Sequence, residues 1–263
     1  MKELISKIHD EKMGLIRSQV EDSKINYKIT IVSVDNDPAS EVYLRNKKLK
    51  LEAVGISCEH IELDSTKSSN DVLHRLADSA RNPIFFQLPL PKGWVAPDLP
   101  SVVDVDAFGS ESFGLQMQGK SKILPCTVQA VFDITTAYFE NESMAGKNVA
   151  VLGRSEIVGK PLVVSLINKQ ATVTCFNSKS NLGAVDWSSF DVVVVATGSH
   201  GVVSSSWFKK GQLVIDVGIN RVNGKLKGDV AFDSEAIADI TPVPNGVGRL
   251  TVVNLLNNII SIS

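Results

Sequence analysis

Tyr43 and Lys47 stand four residues apart in a stretch whose pattern reads as helix, so their side chains share one face. A lysine beside a phenol, part-shielded from water, gives up its proton readily enough to act as both donor and acceptor. Arg45, Lys48 and Lys50 are also basic, and a solvated helix face is the plainer alternative. Gln87 breaks an apolar strand at its C-terminal end, after Ile84, Phe85 and Phe86 and before Leu88. Ligands of parallel sheets bind beyond the carboxyl ends of the strands, so a polar residue there is a candidate contact. An amide that only satisfies loop backbone groups is the alternative. Asp104 and Asp106 lie two apart in a VVDVDAF segment. They could hold a cation or accept hydrogen bonds from the amino edge of a ligand, and a turn or cap role stays open.

Residues 148–162, NVAVLGRSEIVGKPL, carry a second kind of chemistry. A strand-length apolar run ends at Gly153, and Gly159 and Pro161 open a helical pattern. A strand that turns sharply into a helix aims unpaired N–H groups and a positive dipole end at one place, which suits a nucleotide phosphate. Ser155 replaces the second glycine of the usual fingerprint, so a simple tight turn is the competing reading. Where an NAD site usually places an acid for the ribose hydroxyl, this chain has Asn177, Ser178 and Lys179, with Arg154 in the first turn. A cation and a hydroxyl without a carboxylate suit a 2′-phosphate, which favours NADP over NAD.

The elements that must hold these groups follow from apolar periodicity. Helical spacing runs from Leu4 to Val20, a strand spans 28–34, and Asp37 and Pro38 suit the cap and first turn of a helix ending near Gly55. A strand at 58–63, a helix at 69–80 and a strand at 83–88 complete a βαβαβ order, which favours parallel pairing. Residues 89–125 read as loop, and 128–139 as helix. Four apolar strands then begin near Val149, Ala171, Val192 and Leu213. A Pro/Gly loop at 241–248 and an apolar helix at 250–260 close the sequence.

At 263 residues and a formal charge of −2, the chain can hold two α/β units and offers no reason to expect nucleic acid or a membrane as partner. No apolar run approaches the roughly 20 residues of a membrane span. Cys58, Cys126 and Cys175 are too scattered for a disulfide framework, and His9, His60, His74 and His200 form no metal pair. The N-terminus is unlike a secretory signal, so a cytoplasmic setting and no metal are expected.

Taken in order, DPASEVYLRNKKLKLEAVGI, QLPLP, DVDAF, PCT, GRSEIVGKPL, VIDVGIN, GDV and TPVPNGVGRLT resemble the bifunctional methylenetetrahydrofolate dehydrogenase/cyclohydrolase family across nearly the whole chain. The resemblance implies two three-layer α/β domains with a cleft between them, the C-terminal one Rossmann-like. The folate-binding catalytic domain would take 1–122 plus 249–263, and the NAD(P) domain 123–248. It implies oxidation of 5,10-methylenetetrahydrofolate by NADP, then hydrolysis to 10-formyltetrahydrofolate, by a homodimer serving purine biosynthesis.

By motif, Tyr43 would flank the folate ring, Lys47 would be the cyclohydrolase lysine, Gln87 would position it, and Asp106 would bind the pterin edge. Leu88, Pro244 and Gly246 would join the substrate site. Gly153, Arg154, Ser155, Ile157, Ser178 and Ile219 would hold the cofactor, with Arg154 and Ser178 at the 2′-phosphate. The chain departs from the family pattern at Val103, Ala107, Val128, Asn245, Arg249 and Leu250, and carries Asn177 where histidine is common. Those departures motivate one alternative, a catalytically weak paralogue that binds folate or dinucleotide as a sensor or partner subunit. A dehydrogenase of a non-folate substrate is a second, against which the Gln87/Asp106 pair speaks because together they suit the amide-like edge of a pterin.

Overall fold

The computed structural model describes the chain except residues 36–37, 89, 96, 141 and 233–236, and at 38–40, 42–43, 46, 70 and 79 it describes backbone alone. In chain order the elements are α1 (Lys2–Asp22), β1 (Lys28–Val34), α2 (Pro38–Glu52), β2 (Ser57–Leu63), α3 (Asn70–Ser79), β3 (Ile84–Phe86) and α4 (Ser110–Met117). There follow α5 (Cys126–Tyr138), β4 (Asn148–Leu152), α6 (Gly159–Asn168), β5 (Thr172–Phe176), β6 (Val192–Val195) and β7 (Val203–Ser204). The chain continues through β8 (Leu213–Asp216), β9 (Asn220–Val222), β10 (Lys225–Lys227), β11 (Val230–Ala231), β12 (Asp239–Ile240) and α7 (Val247–Ile262). It packs as two units, Lys12–Leu124 with Leu255–Ser263, and Met1–Glu11 with Pro125–Asn254. Both α1 and α7 therefore contribute residues to each unit.

The first unit is built on a parallel sheet in the order β2-β1-β3. Alternating residues of β1 and β3 bury Val32, Val34, Ile84 and Phe86 against Leu73 and Ala77 of α3. Because β2 and β3 flank β1 on opposite sides, the connections diverge at the carboxyl ends of β1 and β3. That divergence opens a crevice where ligands of such sheets bind.

The second unit holds a five-stranded parallel sheet, β12-β8-β6-β4-β5. Its central strands are near-continuous β-branched runs, as strands covered on both faces must be. All four valines of β6 are fully buried. The order reverses between β4 and β6, as in doubly wound Rossmann-like folds. The α/β architecture with parallel sheets agrees with the alternating sequence pattern.

The expected loop 89–125 is corrected by α4. Its Gly114 and serines have poor intrinsic helix propensity, so nothing local announces it. Remote carboxylates stabilise its start: Ser110 N donates to Asp98 Oδ1 at 2.6 Å and Gly109 N to Asp104 Oδ2 at 2.8 Å. The two- and three-residue strands β7 and β9–β12 also lack a periodic signal; Asn223 and Gly224, both at positive φ, turn β9 into β10. The cap proposed for Asp37 lies outside the described residues.

Candidate active site

Lys47 is carried on α2 and Gln87 follows β3, and Lys47 Nζ donates to Gln87 Oε1 at 2.9 Å. The amide is itself held: its Nε2 donates to the Leu88 carbonyl at 2.7 Å, and its backbone N–H to Val32 of β1 at 2.8 Å. Phe85, two residues before Gln87 and so on the same face of the strand, lies under the ammonium, with Nζ 3.9 Å from the ring centroid. The two-residue spacing carries that relation, but an aromatic in an apolar strand has no signal that separates it from core. The backbone of Tyr43 lies one helical turn before Lys47 on α2, and its side chain lies outside the described residues. Leu88 is half-buried in the turn after Gln87.

The carboxylates of the VVDVDAF segment separate in role. Asp104 is 2% exposed and accepts from Gly109 N at 2.8 Å and Ser112 Oγ at 2.7 Å, so it is a structural cap. Burial raises its pKa above the ordinary carboxylate value, with those hydrogen bonds opposing the shift. Asp106 is half-buried in the turn that follows. Asn258 of α7 donates to the neighbouring Val105 carbonyl and to that of Leu124, both at 2.9 Å.

At the reversal point of the second sheet, Gly153 has φ +113°, and an added Cβ would collide with the Ala196 carbonyl after β6. A Cβ at Gly159 would strike the carbonyl of Gly153. The turn is thus packed backbone against backbone in a way that only glycine allows, and it leads into the N-terminus of α6, where the helix dipole suits a dinucleotide phosphate. Ser155 Oγ accepts from the N–H groups of Val158 and Gly159 at 3.3 and 3.4 Å. Arg154, Ser155 and Ile157 are exposed there. Gly153 N donates to Phe176 O at 3.0 Å, which brings the end of β5 and the exposed Ser178 alongside. Burial pushes the neighbouring Cys175 thiol up, and the Arg154 cation opposes it.

Pro244 and Gly246 belong to the loop between β12 and α7, where an added Cβ at Gly246 would meet the Pro242 carbonyl. Two departures from the family pattern fall on positive φ: Ala107 at 55° and Asn245 at 70°. Asn tolerates that region because its side chain bonds locally, whereas alanine there carries about 1 kcal/mol of strain. Ile219, 58% exposed, follows β8, and a Cβ on Gly248 would touch it at 3.7 Å. Arg249 reaches His9 and Ser6 of α1 at 3.2 and 3.3 Å. Among the described residues no group of three or more His, Cys, Asp or Glu could hold a metal, and no helix is long and apolar enough to cross a membrane.

The structure thus brings Lys47 to Gln87, the end of β5 to Gly153, and Ile219 to the start of α7. The catalytic-domain model of tetrahydrofolate dehydrogenase/cyclohydrolase matches residues 2–106, and the NAD(P)-binding-domain model matches 125–263. The bifunctional protein FolD of Dechloromonas aromatica is 42% identical over 245 residues, covering 88% of this chain and 85% of that protein. The bifunctional FolD structure from Campylobacter jejuni superposes with a TM-score of 0.87 at 31% identity, covering 99% of this chain and 96% of that one. The Trypanosoma brucei dehydrogenase-cyclohydrolase, solved with NADP and an inhibitor, gives a TM-score of 0.83 at 30% identity, covering 99% and 95%. With both domain models matched in order along its length, the chain belongs to the tetrahydrofolate dehydrogenase/cyclohydrolase family.

Proposed function

We propose that this chain oxidises 5,10-methylenetetrahydrofolate with NADP+ and hydrolyses the resulting 5,10-methenyltetrahydrofolate to 10-formyltetrahydrofolate. The observation that carries this reading is the 2.9 Å pairing of Lys47 with Gln87 at the ligand-binding edge of a parallel sheet. In the first step a hydride leaves the one-carbon bridge, and NADP+, when bound, supplies the acceptor. That step moves no proton, so orientation of the substrate is what the protein contributes.

In the second step water adds to the methenyl carbon, the bond to N5 opens, and one proton is released overall. Lys47 takes a proton from the attacking water and returns one to the departing nitrogen. Lys47 enters this step as the free amine, and Gln87 and the Phe85 ring hold its Nζ in place, gripping it more firmly as the ammonium that forms. Tyr43 flanks the folate ring, Asp106 accepts from the pterin amino edge, and Leu88, Pro244 and Gly246 complete the substrate contacts. Gly153, Ser155, Ile157 and Ile219 hold the dinucleotide, with Arg154 and Ser178 at its 2′-phosphate, where the absence of an acid at the end of β5 favours NADP.

Residues 1–122 with 249–263 form the folate part of this proposal and 123–248 the nucleotide part. It includes a cytoplasmic homodimer in purine biosynthesis, supported by the family resemblance; light scattering checks the assembly. The decisive experiment supplies methylenetetrahydrofolate with NADP+ or NAD+ and follows methenyl product and reduced cofactor by absorbance. The expected result is turnover faster with NADP+, and a flat trace from folded protein overturns the proposal.

A further inference from the structure

Asp229 has no exposed surface, yet its carboxylate collects four donors from two separate segments, the loop after β6 and the first residue of β9. Oδ2 accepts from Thr197 N at 2.6 Å, Thr197 Oγ1 at 2.9 Å and Gly198 N at 2.8 Å, and Oδ1 accepts from Asn220 Nδ2 at 2.8 Å. Thr197 follows Ala196, whose carbonyl occupies the space beside Gly153 in the phosphate turn. Asn220 follows Ile219. One side chain therefore fastens the loop after β6, which abuts the phosphate turn, to the start of β9.

The segment bearing Asp229 is itself pinned. Its backbone N–H donates to buried Asp216 Oδ1 at 2.9 Å, Val230 N to Asp216 Oδ2 at 3.0 Å, and Gly218 N to Asp216 Oδ1 at 2.9 Å. On the other side Gly201 N donates to the Asp229 carbonyl at 2.8 Å, and His200 Nδ1 lies 2.6 Å from the Gly228 carbonyl. The packing leaves no slack, because a Cβ at Gly218 would overlap the Asp229 carboxylate.

A dinucleotide crosses a doubly wound sheet at its reversal point. With the 2′-phosphate at the end of β5, the other half of the cofactor must run toward the ends of β6 and β8. We propose that Asp229 is a positioning residue for hydride transfer: by tying Thr197 and Gly198 to Asn220 it sets the seat of the nicotinamide relative to the phosphate turn. The proposal rests on the NADP-dependent oxidation of methylenetetrahydrofolate. Hydride transfer is sensitive to such placement, since a shift of about 1 Å from a remote change can cost about a hundredfold.

Asp229→Asn keeps the shape but turns one acceptor atom into a donor facing other donors. In the full chain it should lower kcat/KM for NADP+ about 10- to 100-fold, while hydrolysis of methenyltetrahydrofolate without dinucleotide stays within about twofold. Asn220→Ala, which removes one donor and leaves the carboxylate, should give a smaller drop in the same direction. Parallel loss of both activities, or an unchanged dehydrogenase in both variants, overturns the proposal. NADPH titration by nicotinamide fluorescence gives a readout independent of folate turnover, and Asp229→Asn should weaken binding or change the emission of the bound ring; identical titrations and emission overturn the proposal. A wild-type chain that binds NADPH but oxidises no folate overturns the function above and leaves Asp229 to be decided by that titration.

Discussion

Lys47 and Gln87, 40 positions apart in the chain, are joined by a hydrogen bond of 2.9 Å from Nζ to Oε1. Gln87 follows β3, which pairs in parallel with β1 with Val32 opposite Phe86, and Lys47 is carried on α2, the helix that follows β1. If Lys47 carries the proton transfers of ring opening, Lys47→Met should lower cyclohydrolase activity by about a hundredfold or more. Hydride transfer should survive, because it moves no proton. Separate assays on methylene- and methenyltetrahydrofolate check this, and unchanged hydrolysis would remove Lys47 from its role.

The exposed Arg154 should set cofactor choice. Arg154→Ala removes a charge-assisted contact to the 2′-phosphate, so kcat/KM with NADP+ should fall about tenfold or more while the value with NAD+ changes little. Parallel steady-state measurements with the two cofactors decide it, and equal losses with both would mean that the arginine does not read the phosphate.

Gly153→Ala tests the close approach of the turn to the loop after β6. With φ at +113° and the Ala196 carbonyl in the space a Cβ would take, alanine forces the turn open. The expected cost is about 3 kcal/mol of stability, seen as a lowered thermal midpoint, together with lost NADPH binding. A variant that melts and binds like wild type would contradict the close approach of the two loops.

Tyr138 of α5 donates to Asp239 Oδ2 at 2.7 Å. Burial first, then the bond and charge of Asp239, push its pKa from 10.0 up to about 12. The folded chain thus holds the phenolic proton more tightly than the unfolded chain, and the associated stability is complete below pH 10 and is lost as pH rises toward about 12. Tyr138→Phe should be weaker by about 1 kcal/mol at neutral pH, and its deficit should shrink across that alkaline window. Urea midpoints on both sides of pH 10 measure it, and a constant deficit would contradict the assignment.

Much of the nucleotide half was legible because its signals are local. The apolar run of β4, the glycine that ends it and the proline in the first turn of α6 are all neighbours in the chain. The same holds for the buried valines of β6. By contrast, α4 depends on Asp98 and Asp104 reaching back from other segments, and no periodic count over 110–117 contains them. Asp104 and Asp106 are indistinguishable as sequence, and only burial makes one a cap and leaves the other a candidate ligand.

Residue type and short-range spacing were enough to establish α/β units with parallel sheets, the tight strand-to-helix turn at Gly153, a lysine on a helix and a glutamine at a strand end. Helix turns and strand alternation connect residues within a few positions, and the chain carries that information along its own length. Tertiary structure alone decided that Lys47 meets Gln87 over Phe85, and that Asp229 ties Thr197 and Gly198 to Asn220. Those contacts join segments tens of residues apart, and strand order and the space left beside Gly153 and Gly218 determine which polar groups find each other once the sheets are packed.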